Sequence, residues 1–186
     1  MNASRHQRRI SIKIYSLARS AIAAMLLAGA TVAFAADKPS DPQIAHIAYT
    51  AGILDVEAAK QALSVSKNDA IRAFASNMIT DHTAVNDQAL ALVKKLGVTP
   101  EDNPTSKGLV AQAEAKRAEL AKLSGAEFDK AYANNEVAYH KAVNGALADL
   151  LIPSASNAEL KGLLETGLKI FQGHEKHAED MAGSLK

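Results

Sequence analysis

The chain has 186 residues, with 21 Lys plus Arg against 20 Asp plus Glu, six His and no Cys. The absence of cysteine excludes disulfides, thiolate metal sites, covalently attached c-type haem and cysteine nucleophiles together. Hydrophobic residues make up 48% but aromatics only 4%; with alanine abundant and Val-Ile-Thr runs absent, that composition favours helix throughout.

The first 35 residues stand apart. "MNASRHQRRISIKIYSLARS" carries Arg5, Arg8, Arg9, Lys13 and Arg19 without an acid and runs into "AIAAMLLAGATVAFA". A basic start, a short apolar run and the small-x-small ending Ala33-Phe34-Ala35 predict a secretory signal peptide cleaved after Ala35. The apolar run falls short of the about 20 residues that span a bilayer, so no stable membrane span is expected after cleavage. The mature protein is expected to be periplasmic or secreted. Arg8-Arg9 loosely resembles a twin-arginine export signal, although Ser11 stands where that signal prefers an aromatic residue. The leader takes five of the 21 basic groups and none of the 20 acidic ones, which leaves a mildly acidic remainder of net charge about −4. Such a chain offers no basic face for nucleic acid. Residues 36–186 are long enough for one domain that buries roughly two thirds of its unfolded surface.

Asp41-Pro42 reads as an N-cap followed by proline at the first helical position, opening a helix to about Val65. Ser66 to Asp69 form a turn, and a second helix runs from about Asp69 to Leu96, closed by Gly97. "GVTPEDNPTSKG" reads as a loop from its two prolines and polar residues, followed by a shorter helix over 109–123. A third long helix is expected over 126–151, a break at Pro153-Ser154, and a fourth over 157–184. Short connections within each pair and a long one between pairs predict an all-α, ferritin-like four-helix bundle with a short helix in the crossover.

Stepping by four and three residues traces the inward seams. On the second helix Ile71, Ala75, Met78, His82, Val85, Ala89, Leu92 and Leu96 follow one stripe, with His82 in its middle. On the fourth, Leu160, Leu164, Gly167, Phe171, His174, Ala178 and Met181 do the same, and His177 lies about 60° aside. His140 and Glu136 share a face of the third helix, with Tyr132 and Tyr139 alongside. Asp55 lies at the edge of the first-helix seam, and His46 points elsewhere. Reflection through the turn at 67–68 brings Asp55 level with His82; reflection through 154–155 brings His174 level with Glu136.

This gives His82, His140, His174, Glu136, Asp55 and His177 as candidate metal ligands at mid-bundle. Bundles build metal and cofactor sites from such inward groups. Neutral imidazole suits Zn, Cu or Fe, with haem ranked behind a bare ion. The competing reading is structural: buried histidines whose ring N–H groups are satisfied by Asp55, Glu136 or tyrosine hydroxyls. In that case the protein is a non-catalytic interaction module with an envelope partner. Asp81, Asp87 and Asn86 read as a solvated face beside His82, and Gly162, Gly167 and Gly173 as sites of close helix packing. No phosphate loop, nucleophile arrangement or perturbed acid–base pair points to an enzyme.

"ILDVEAAKQAL", "MITDHTAVN", "LSGAEFDKAY", "EVAYHKAV" and "HEKHAEDM", in that order after a leader, resemble the exported bacterial proteins catalogued as domain of unknown function 4142. The resemblance covers residues 42–184. It implies a ferritin-like bundle of the periplasm or envelope and brings forward Asp55, Asp81, His82, Phe128, Asp129, Tyr132, His140 and His174 as motif positions; a stress or envelope-associated protein is the expectation. It implies no settled activity. A carboxylate-bridged di-iron site needs Glu-x-x-His on two helices. Here Ile79 precedes His82 by three and Phe171 precedes His174 by three, while Glu136 and His140 are four apart. Iron storage in the ferritin manner is therefore not expected.

Overall fold

The computed structural model describes residues 38–185. The expected leader, residues 1–35, lies outside them. Five helices of four turns or more are present: α1 Asp41–Val65, α2 Asp69–Leu96, α3 Pro104–Leu120, α4 Gly125–Ala146 and α5 Ala158–Ser184. None is long and apolar enough to cross a membrane.

The helix ends follow local chemistry. Asn68 and Asn157 cap α2 and α5, each side chain accepting from two backbone N–H groups of the first turn, which satisfies donors the helix itself cannot. Gly97 ends α2 in the left-handed region at φ 63, where glycine alone is free of steric penalty. The cap of α1 is Ser40, not Asp41: the Gln43 amide oxygen accepts from the Ser40 N–H at 3.1 Å. Asp41 has another task, accepting from Ser156 N and Asn157 N at 2.8 and 2.9 Å. It thereby ties the start of α1 to the connection before α5.

Two boundaries differ from the sequence reading. α3 begins at Pro104 rather than near 109, because Asn103 accepts from Ser106 N at 3.0 Å and proline sits where its missing N–H has no partner to lose. The third long helix does not stay α-helical to 151. After Ala146 the chain widens into a π turn, Leu147–Leu151, in which Ile152 N–H bonds the Leu147 carbonyl five residues back, before a short turn at Ile152–Ser154. Pro153 explains the widening, since it donates no hydrogen bond and its ring clashes with the carbonyl four residues earlier.

α1 packs chiefly on α2, α4 on α5, and α2 on α5, with α1 and α4 closing the ring. Ile44 and Ile47 from the start of α1 share an apolar cluster with Val93 from the end of α2, Leu147 and Leu151 after α4, and Leu160 and Leu164 of α5. α2 and α4 therefore run parallel, and α3 must return the chain along the bundle. It does so beside α1: Asn103 Nδ2 donates to Gln43 O at one end, and Gln61 Nε2 to Arg117 O at the other. At 1.5 Å per residue its 17 residues reach about 26 Å. The expected crossover topology is what forms.

A second cluster, with Phe74, Met78, Phe128, Tyr132 and Met181, fills the opposite end. The polar residues Asp55, His82, Glu136, His140 and His174 are buried but belong to neither cluster; they form the layer between two apolar ends.

Of the glycines read as packing sites, Gly162 and Gly173 face open space and only Gly167 meets a neighbouring ring, that of Phe171. The close approach is at Gly52, where a Cβ would lie 2.3 Å from Asn86 Oδ1 and 2.8 Å from Nδ2. Asn86 is buried, so its amide cannot swing into water. Gly52→Ala is expected to destabilise the protein by about 1–3 kcal/mol, read as a lower urea midpoint. Adding Asn86→Ala should recover part of the loss, and an unchanged midpoint in the single variant would show that α1 and α2 can move apart freely.

Candidate metal centre

Asp55, His82, His140 and His174 come from α1, α2, α4 and α5, one from each helix of the ring. His82 Nε2 lies 2.7 Å from Asp55 Oδ2, and His140 Nε2 lies 3.4 Å from the same oxygen. The three imidazole centroids are 5.3 to 5.8 Å apart. One ligand atom each from His82, His140 and His174 falls within 4.8 Å of the others, and so does one each from Asp55, Glu136 and His140. His140 belongs to both groups.

The ring tautomers follow from what the outer nitrogens touch. His140 Nδ1 is 3.0 Å from the Glu136 carbonyl; a carbonyl only accepts, so Nδ1 carries the hydrogen and Nε2 the lone pair. His174 Nε2 donates to the Asp81 carboxylate at 2.9 Å, which leaves the lone pair on Nδ1. Burial pulls both imidazoles below their ordinary 6.5, toward the neutral form. For Asp55, burial alone would raise the carboxyl, but His82, His140 and Glu136 outweigh it and the net direction is down. Burial, reinforced by the Asp55 charge, raises Glu136 well above 4.5, so the pair holds one ionised and one neutral carboxyl.

The inward atoms are consequently mostly acceptors. His140 Nε2 and His174 Nδ1 are buried without a hydrogen-bond partner, and the ionised Asp55 carboxylate lies in the same layer, while neutral Glu136 keeps an O–H for Asp55. His82 Nε2 approaches Asp55 Oδ2 at 2.7 Å, a contact that helps hold the Asp55 carboxyl down. Orphaned buried polar atoms are costly and rare, and acceptors that face one another are satisfied by a cation. The residues present therefore fit a metal ion.

Tyrosine hydroxyls do not complete the ring N–H groups. Tyr139 donates to the Ala51 carbonyl at 2.7 Å, and the Tyr132 hydroxyl is buried without a partner. The acid facing His174 is Asp81 of α2, not Glu136 of α4 as the hairpin reflection suggested. α5 has two neighbours in the ring, and reflection considers only the one joined by a short turn. Asp81, read as part of a solvated face, is thus joined to the centre, while the face's Asn86 is buried against Gly52. His177 is exposed and sets its ring edge-on against Phe74 at 5.1 Å, outside both ligand groups. His46 lies away from the centre, near Thr50 at 3.5 Å. Phe171, which occupies a position where a di-iron site would need glutamate, stacks its ring on His82 at 4.4 Å and 8°. Asp129 accepts from the Ser66 hydroxyl at 2.5 Å and anchors the α1–α2 turn to α4, a structural role.

A family model described as a domain of unknown function, DUF4142, matches residues 27–181. The chain belongs to that family. Searches of curated proteins and of solved structures give no match. Within this DUF4142 chain, the matched segment contains α1 to α4, all but the last three residues of α5, and every residue of the polar layer.

Proposed function

We propose that this DUF4142 protein is an exported, periplasmic or envelope bundle that holds one transition-metal ion between its helices. His82, His140 and His174 would hold the ion, with Asp55 as the adjoining carboxylate. The observation that carries this reading is the convergence of ligand atoms: the N–H groups of His140 and His174 are turned outward to Glu136 O and Asp81, which leaves their other nitrogens without partners, where one ligand atom each from His82, His140 and His174 falls within 4.8 Å of the others and Asp55 approaches His82 and His140. Neutral imidazoles with one carboxylate suit Zn, Cu or Fe. His140 is the residue common to both ligand groups, and its Nε2 is the ring nitrogen without a partner, so the reading is of one ion and not two. Export is proposed from the basic and apolar pattern of residues 1–35, and its check is an envelope-fraction mass beginning at Ala36.

The test is the double variant His82→Ala, His174→Ala, purified beside the wild type from cells grown with added Zn, Cu or Fe. It should fold with unchanged helical circular dichroism and hold less than about a tenth of the wild-type metal, since removing two of three imidazoles leaves too few ligands. Equal metal in both proteins would place the ion elsewhere. Metal in neither would leave the histidines as packing groups of an interaction module.

A further inference from the structure

The buried layer has one side chain through which it meets solvent. Side-chain exposure is 0% for Asp55, 3% for His82, and 1% each for His140 and Glu136. His174 is 9% exposed, and its hydrogen-bond partner Asp81 is 45% exposed. On the α4–α5 side Asn144 Nδ2 donates to Glu175 Oε2 at 2.8 Å, and neither residue is a candidate ligand. His174 is therefore the ring with one nitrogen turned to a solvated carboxylate and the other turned into the layer.

Resting on the metal reading above, we infer that Asp81 is the positioning residue and access point of the centre: it fixes His174 with Nδ1 inward, and the ion enters and leaves past this pair. Two physical effects follow from the contact at 2.9 Å. A carboxylate that accepts from the outer N–H of a ligating imidazole fixes the ring's tautomer and orientation and raises its basicity, and loss of such a partner typically weakens metal binding 10- to 100-fold. A solvated anion beside the most exposed ligand also attracts an incoming cation, an effect that added salt screens. Asp81 and His174 sit on α2 and α5, which pack together, so the access point lies at the seam between two helices.

The experiment uses full-length wild type, Asp81→Asn, Asp81→Ala and Asp81→Glu, with Zn²⁺ competed against a chromogenic chelator and Co²⁺ as the spectroscopic probe. Asp81→Asn keeps an acceptor oxygen but loses the charge, so its Zn²⁺ affinity should fall by about 10-fold. Asp81→Ala loses both and should fall toward 100-fold, with a displaced Co²⁺ absorption band. Asp81→Glu should recover part of the affinity. Zn²⁺ release to excess chelator should change with the same substitutions, while the metal-free helical circular dichroism stays that of wild type, since Asp81 is half exposed. Wild type that binds Zn²⁺ alongside an Asp81→Ala protein of equal affinity and identical Co²⁺ spectrum would overturn the inference and leave the metal reading intact. Wild type that binds neither ion would overturn the metal reading, and this inference with it.

Discussion

Metal at a hundredfold excess over its dissociation constant is expected to stabilise the bundle by about 2.7 kcal/mol, or roughly 5–10 °C in melting temperature for a chain of this size. The size of the effect comes from linkage: the ligand atoms come from four helices, so no unfolded chain can present them together and the ion binds the native state alone. The gain should continue to rise with the logarithm of metal concentration and disappear in His140→Ala, which removes the imidazole common to both ligand groups. Thermal melts with and without a chelator provide the check. A melting temperature insensitive to Zn, Cu and Fe at all concentrations would contradict coordination by these residues.

The second large effect is on pH dependence without metal. Glu136 is neutral in the folded protein because burial and the Asp55 charge raise it well above 4.5, whereas the unfolded carboxyl ionises near that value. From pH 4.5 up to its raised folded value, the native state thus holds a proton that the unfolded state has lost, and stability falls with rising pH by up to about 1.4 kcal/mol per unit. Glu136→Gln copies the neutral acid and removes this slope. The stability difference, Glu136→Gln minus wild type, should widen as the pH rises above 4.5 in chelator, up to the raised folded value. His140 and His174 act in the opposite sense. Their folded values lie below 6.5, so their contribution is present above that pH and is lost as the pH falls below it. Because both proteins share those histidines, the subtraction isolates Glu136. Urea titrations at several pH values provide the test, and parallel curves would show that Glu136 is ionised in the native protein.

How much of this was legible in the sequence depended on which neighbour a residue faces. The pairing of Asp55 with His82 could be read because a short turn joins their helices and reflection through it fixes the level. The inward position of His174 could also be read from its unbroken apolar stripe. Its partner could not, since a seam shows that a residue faces inward and does not name the helix opposite. Asp81 lies one residue before His82, about 100° around the helix, and such a position reads as solvated unless a third helix covers it; α5 does. A hint was present in the Asp-His-Thr segment of the family pattern. His177 shows the converse: 60° from the seam was far enough to leave it outside both ligand groups, edge-on against Phe74. The start of α3 and the π turn after Ala146 were obscured by prolines, which close one element and open another with the same chemistry. Pro104 opens a helix because Asn103 caps it, whereas Pro153 distorts one because four helical residues precede it.

Elemental analysis of the native full-length protein, purified without chelator from metal-supplemented cells and read together with its absorbance spectrum, tests the central claim most directly. One Zn, Cu or Fe per chain is the expected result. A colourless, metal-free protein that takes up no ion on titration would contradict it.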